Sequence, residues 1–364
     1  MKLGQQFRQW RAAVRRQARL CAQTGPATSA GPTQSRAFTL LELLVAVVIT
    51  LVLAGLMLAT TTNVLALWRR SQARQTQAVS AKQVLDLVER DLQSALYRRD
   101  ARCWLAADIL DATAVLANHG WLAGPGLMKP VGGGSLRVLP APDAAGTSRL
   151  AEARFGLSGL WLRLVATNVE SDGSLPTVVA YQVVRRPVTG DPVATNPAPV
   201  RYSLYRSVVS NSDTFANGYD VTASAYASTN NTPSSARSTA YRTGRNVMNP
   251  SHANVLASNI VDFGCWFYAR DPAGALRRIY PSVAGDLSHH ALGDSTADDA
   301  CFPSVADVMV RILSEEGATL VEAIETGRVP RPPTCSSDAD WWWSVVEAHS
   351  AVFLRRVEIK GVAP

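Results

Sequence analysis

One carboxylate, Glu42, stands at the mouth of an apolar run that carries no further charge until Arg69. A charge beside a stretch of that character is costly unless it is paired or reaches the membrane interface, so it marks a functional site. Further along, Trp341, Trp342 and Trp343 are adjacent, and three neighbouring indoles are not expected to share one core. At least one is expected to be partly exposed, either as an aromatic interface anchor or covering the rim above two buried neighbours. Cys103, Cys265, Cys301 and Cys335 are an even set, which in an exported domain allows two disulfides with three connectivities; buried free thiols are the alternative.

Metal and catalytic chemistry find little support. Asp286, Asp294, Asp298, Asp299 and Asp307 surround His289 and His290, and oxygen-rich turns of this kind can hold calcium. Their spacing fits no defined calcium loop, so a solvated acidic turn is expected, with no metal and no other cofactor. Nor does any Cys/His spacing suggest zinc. Gly132-Gly133-Gly134 lacks the Gly-Lys-Ser/Thr of a phosphate cradle and reads as a turn. His119, His252, His289, His290 and His349 form no H-E-x-x-H, and no G-x-S-x-G is present. No enzyme activity is expected.

These residues depend on the elements that carry them. Residues 1–37 hold Lys2, Arg8, Arg11, Arg15, Arg16, Arg19 and Arg36 and no acid, the texture of a leader to be removed. Taking these seven from the 36 basic residues leaves 29, which balances the 29 acidic ones. The net charge of +7 therefore belongs to the leader, and nucleic acid is not an expected partner. The charge-free interval Leu43–Trp68 is 26 residues, beyond the roughly 20 that cross a bilayer as a helix.

No proline lies between Pro32 and Pro125, and Gly55 is the only glycine from Phe38 to Arg102. One helix is expected from Phe38 to near Tyr97: residues 38–68 apolar all round, 69–102 amphipathic. Ala81, Leu85, Val88, Leu92 and Leu96 recur at helical spacing and should dock on a folded domain, with Asp86 and Arg90 paired on the wetter side.

Residues 124–364 read as that domain. Strands are expected at Ser135–Leu139, Leu160–Ala166, Val178–Val184, Tyr202–Val208, Ile260–Tyr268, Ala306–Leu313 and Val352–Ile359. Short helices are expected near Ala318–Glu325 and Ala339–His349. The fold class is α+β, a long helix packed on a mostly antiparallel sheet. Residues 210–249 are rich in Ser, Thr, Asn and Ala and are expected to form a flexible surface insertion.

The run R-A-F-T-L-L-E-L-L from Arg36 places Glu42 fifth from Phe38, behind the small Ala37 and a basic leader. This resembles the cleavage and methylation signal of type IV pilins and type II secretion pseudopilins, closely around the cut and loosely along the helix. Ala37 stands where that family usually has Gly. The large domain looks closest to the J-type minor pseudopilins and to prepilin-type cassette proteins of Verrucomicrobia-like bacteria, on P-S-V-A-D-V-M-V-R-I-L-S-E-E-G from Pro303.

The resemblance implies a prepilin peptidase and N-methyltransferase that cuts between Ala37 and Phe38 and methylates Phe38. It implies that Glu42 pairs with the amine of a neighbouring subunit and sets axial register. The chain would then be a single-pass inner-membrane protein in the lipid bilayer, its carboxy-terminal domain in the periplasm. An inner-membrane assembly platform would pass it, with other pilin or pseudopilin subunits, into a pilus or pseudopilus fibre. The expected role is a structural minor subunit of that fibre. Alternatives are a surface-binding minor pilin for DNA uptake or adhesion, and a membrane-anchored periplasmic enzyme.

Overall fold

The computed structural model describes residues 39–122, 127–130, 149–167, 175–189, 195, 197–226, 247–282 and 286–360. Helix α1 spans Leu40–Gln93, 54 residues and about 80 Å at 1.5 Å per residue. It ends four residues before Tyr97 because the chain is drawn into a sheet: Leu96 N–H donates to Val165 O (2.8 Å), and Ala95 bridges Ala166.

The chain divides into two units, residues 1–66 and 67–364. In the first, every described residue is exposed and α1 is apolar on all sides, long and apolar enough to cross a membrane. Its hydroxyls are compatible with lipid. Thr50 donates to Ala46 O (2.7 Å), Thr60 to Leu56 O and Thr61 to Met57 O (both 2.8 Å), and Thr62 to Ala59 O (2.9 Å). Each of these four hydroxyls is thus satisfied within the helix itself.

In the second unit α1 is amphipathic. Ala81, Val84, Leu85, Val88 and Leu92 are buried, with Leu96 half-buried beyond the helix end. The expected docking stripe is the one that packs. Two buried polar residues accompany it. Gln77 Nε2 donates to Ile312 O (2.9 Å). Asp91 accepts from Arg206 Nε (2.7 Å) and Nη2 (3.0 Å) and from the Tyr181 hydroxyl (2.5 Å). A buried charge needs a partner with good geometry, and the forked guanidinium supplies it. The expected Asp86–Arg90 pair is not what forms: Asp86 is held by Lys82 (2.5 Å) and Arg355 (2.5 Å). Arg90 reaches the adjacent Asp91 instead (3.8 Å).

Two antiparallel sheets follow, where one was expected. The first has six strands: β1 (Cys103–Asp108), β2 (Trp161–Thr167), β3 (Pro176–Pro187), β4 (Val200–Val208), β5 (Val255–Ser258) and β8 (Ser288–Leu292), in the order β5-β4-β3-β2-β1-β8. The second comprises β6 (Ile260–Arg270), β7 (Leu276–Tyr280), β9 (Val305–Leu313) and β10 (Ser350–Glu358), in the order β10-β9-β6-β7.

Long registers fix each sheet, from Val179 opposite Val208 to Pro187 opposite Val200 in the first, and from Ser350 opposite Leu313 to Glu358 opposite Val305 in the second. The turn before β2 meets β6 of the second sheet at Gly159, whose φ is 65° and where a Cβ would stand 2.8 Å from Phe263 O. Only glycine tolerates both the angle and the approach.

Helices α2 (Ala112–Asn118), α3 (Asn211–Asn217), α4 (Glu315–Glu325) and α5 (Asp338–His349) complete the unit. The result is the α+β, pilin-like layout: a long apolar helix followed by antiparallel sheets. Of the seven expected strands, Ser135–Leu139 lies outside the described residues; the other six are present. The described ends of 210–249 differ from a loose insertion. Ser210 caps α3, Val221 and Tyr226 are buried, and the Tyr226 hydroxyl donates to Gly218 O (2.7 Å).

Because Leu92 is fully buried and Val79 is 69% exposed, the two test the docking. Leu92→Ala should cost about 2–5 kcal/mol, the range for a core leucine. Val79→Ala should be near neutral. Denaturant unfolding of the detergent-solubilised chain measures both.

Candidate functional site

Glu42 lies in the first turn of α1, and the sequence around it builds a helix start. Thr39 is the cap: its Oγ1 accepts from Glu42 N–H (3.2 Å). Glu42 Oε2 reaches back to accept from Thr39 N–H and Thr39 Oγ1–H (both 3.0 Å). T-L-L-E is thus a reciprocal capping box, the S/T-x-x-E pattern ahead of an apolar run. Sequence reasoning that weighed Glu42 only as an intermolecular group missed this local role, though the spacing displays it. The carboxylate also complements the positive end of the helix dipole. Among the described residues nothing engages Oε1, and the side chain is open to a partner. Ala37 and Phe38 lie outside the described residues.

The three tryptophans are not a surface anchor; all are buried within the chain, at 8%, 0% and 5% exposure. Three successive helical residues sweep about 200° of circumference, so α5 must be embedded on more than half its girth. Trp342 Nε1 donates to Glu325 Oε1 (3.1 Å), a buried carboxylate that also accepts from Arg185 Nε (2.7 Å) and the Tyr202 hydroxyl. Trp343 Nε1 donates to Pro130 O (3.2 Å), and the Arg154 guanidinium covers its ring at 4.4 Å. Expectation and structure part because partners close on α5 from several sides, which a local run cannot reveal.

The cysteines are likewise not bridged. Cys103, Cys265, Cys301 and Cys335 are all free. Cys103 sits in β1 of one sheet and donates to Leu105 O (3.3 Å); Cys265 sits in β6 of the other. Both pack as small apolar residues, and burial pushes the Cys103 thiol up to about 12 and Cys265 higher still. Cys301 and Cys335 are half-buried.

Three of the acids in the acidic segment are held in ion pairs and a turn. Asp307 takes Arg356 in a fork (2.7 Å to each oxygen), Asp298 pairs with Arg277, and Asp286 accepts from Ser282 (2.7 Å). His290 faces Asp108 (2.9 Å). Among the described residues no group of three or more His, Cys, Asp or Glu is placed to hold a metal. His119 and His289 are buried, and burial pushes each down to about 4. Gly132, Gly133 and Gly134 lie outside the described residues.

Comparison with known proteins bears on the helix head alone. Residues 33–58 match the family model described as the prokaryotic N-terminal methylation motif. No curated protein and no solved structure matches the chain. The motif supports the type IV pilin and pseudopilin family, whose members are substrates of prepilin peptidase. It covers the Thr39–Glu42 box and the first part of the apolar run, and none of the β-rich unit.

Two outcomes follow. Alkylation of the native chain should label Cys301 and Cys335 quickly and Cys103 and Cys265 only on unfolding; disulfides would instead leave thiols undetected until reduction. Separately, the folded state keeps His119 and His289 neutral down to about pH 4, whereas the unfolded chain takes up protons below about 6.5. Stability should therefore fall as pH drops from about 6.5 to about 4, from this source, and level off below. Urea midpoints followed across that range should show a shallower fall for His289→Asn.

Proposed function

We propose that this chain is a structural subunit of a type IV pilus-like or type II secretion pseudopilus fibre, and a minor one. The methylation motif points to a structural subunit and not to an enzyme. One observation carries the reading: the motif runs directly into a helix apolar on all sides, with a single acid at its head. A bulky β-rich unit of two sheets would crowd a repeating shaft, which favours a low-copy or tip-proximal place. The succession of α1 and antiparallel sheets is compatible with a J-type minor pseudopilin or a prepilin-type cassette protein.

In this reading prepilin peptidase cuts between Ala37 and Phe38, with α1 crossing the inner membrane and the β-rich unit in the periplasm. The new Phe38 amine, methylated, lies one residue before the Thr39 cap. A cation there sits at the positive end of its own helix dipole, an unfavourable place. The carboxylate of a neighbouring copy or subunit offers a better one, because an anion without a partner in hydrocarbon costs several kcal/mol. Glu42 Oε2 is occupied by Thr39, so Oε1 is the acceptor left for the incoming amine. The pairing would set axial register as the assembly platform lifts the subunit from the bilayer.

The test separates register from processing. Glu42→Gln keeps the side chain's shape and Glu42→Ala removes it; both should still be cut. Recovery in the sheared fibre fraction should fall roughly tenfold or more, equivalent to at least ~1.4 kcal/mol of subunit contact. Recovery of either variant at the wild-type level would refute the register role.

A further inference from the structure

Directly after the span, α1 carries a cationic collar that the fibre reading does not use. Arg69, Arg70 and Arg74 follow Trp68, and no acidic residue occurs between Glu42 and Asp86. All three arginines and Trp68 are exposed, Trp68 at 63%. Among the described residues no ion pair or hydrogen bond holds any of the three, whereas Lys82, the next cation, is taken by Asp86 (2.5 Å). Among the described residues, then, nothing of the chain neutralises the collar.

Its position selects the partner. The charge-free interval ends at Trp68, a residue type that settles at the headgroup level of a bilayer. Arg69 to Arg74 then rise about 8 Å along the axis, comparable to a headgroup layer. Helical side chains lean toward the amino terminus, so these guanidinium groups slant back toward the span, and their long stems allow them to snorkel. Arg70 and Arg74 are one turn apart and share a face. Guanidinium groups match phosphate geometry with paired donors.

We infer that Trp68, Arg69, Arg70 and Arg74 form a binding collar for anionic phospholipid headgroups, in the leaflet that faces the β-rich unit. The collar holds the subunit at a fixed depth in the bilayer. This rests on the membrane-anchoring reading of α1. Each cation at an anionic surface contributes about fivefold to affinity. Release of the subunit into a fibre would require exchanging those phosphates for other anions or water.

The test is lipid selectivity by electron spin resonance, on the full chain reconstituted in phosphatidylcholine vesicles with a minor fraction of phosphatidylglycerol. In the wild type, spin-labelled phosphatidylglycerol should be immobilised severalfold more than spin-labelled phosphatidylcholine, less so at high salt. The triple variant Arg69→Gln, Arg70→Gln, Arg74→Gln should lose that preference, and the triple lysine variant should keep most of it. Equal immobilisation of both lipids by the wild type, or a preference unchanged in the glutamine variant, overturns the collar. Loss of fibre incorporation in the glutamine variant without any lipid preference in the wild type also overturns it, and assigns the arginines to acidic groups on another subunit. Failure of the anchoring reading looks different: neither lipid is immobilised, and alkaline washing removes the chain from the vesicles.

Discussion

A single helix here must satisfy two solvents, and that constraint governs everything built on it. Up to Ala66 α1 presents apolar side chains in every direction and bonds its threonine hydroxyls back to its own carbonyls. From Leu67 it presents one apolar stripe and needs protein to cover it. The cover is supplied by two sheets, and the seam is closed by polar groups that are fully engaged. Asp91 is the central one. A carboxylate on the buried side of a helix would be a liability without the Arg206 fork and the Tyr181 hydroxyl. Removing one partner from such a group leaves a buried charge, so the contact specifies how helix and sheet fit together.

The same economy recurs in the β-rich unit, where buried carboxylates collect donors from distant segments. Glu325 gathers Arg185, Tyr202 and Trp342 from β3, β4 and α5. Asp262 on β6 receives the fully buried Lys129 (3.1 Å) and the Phe155 N–H (3.1 Å). Hubs of this kind bind loops to sheets. At the head of α1 the arrangement is the reverse. Glu42 is satisfied on one oxygen by Thr39 and left open on the other, on an exposed surface. A capping role and an assembly role are compatible, since the cap holds the carboxylate at a fixed place on the helix.

What could be read from the chain follows from where the physics is local. The span, the docking stripe and six strands are visible because apolar periodicity reports them directly. Cys103–Asp108 was not, since C-W-L-A-A-D has no alternation and both its neighbours in the sheet come from distant sequence. L-R-R-I-Y and S-H-H-A-L form edge strands whose polar residues disguise them. The burial of Trp341, Trp342 and Trp343 depends on α4, Pro130 and Arg154, and no local pattern announces those partners. Thr39 is the opposite case: its capping box is written in four consecutive residues, beside a carboxylate with a more conspicuous part.

The account stands on one covalent event, the removal of the basic leader. That removal would neutralise the chain, free the amine that Glu42 would receive, and leave α1 as the amino terminus. Intact-mass and amino-terminal peptide analysis of the protein from a host with a prepilin peptidase measures that event directly. The account predicts a chain beginning at Phe38 and carrying one added methyl group on its amine. A chain beginning at any other residue, or one that keeps Arg36 and Ala37, would contradict it.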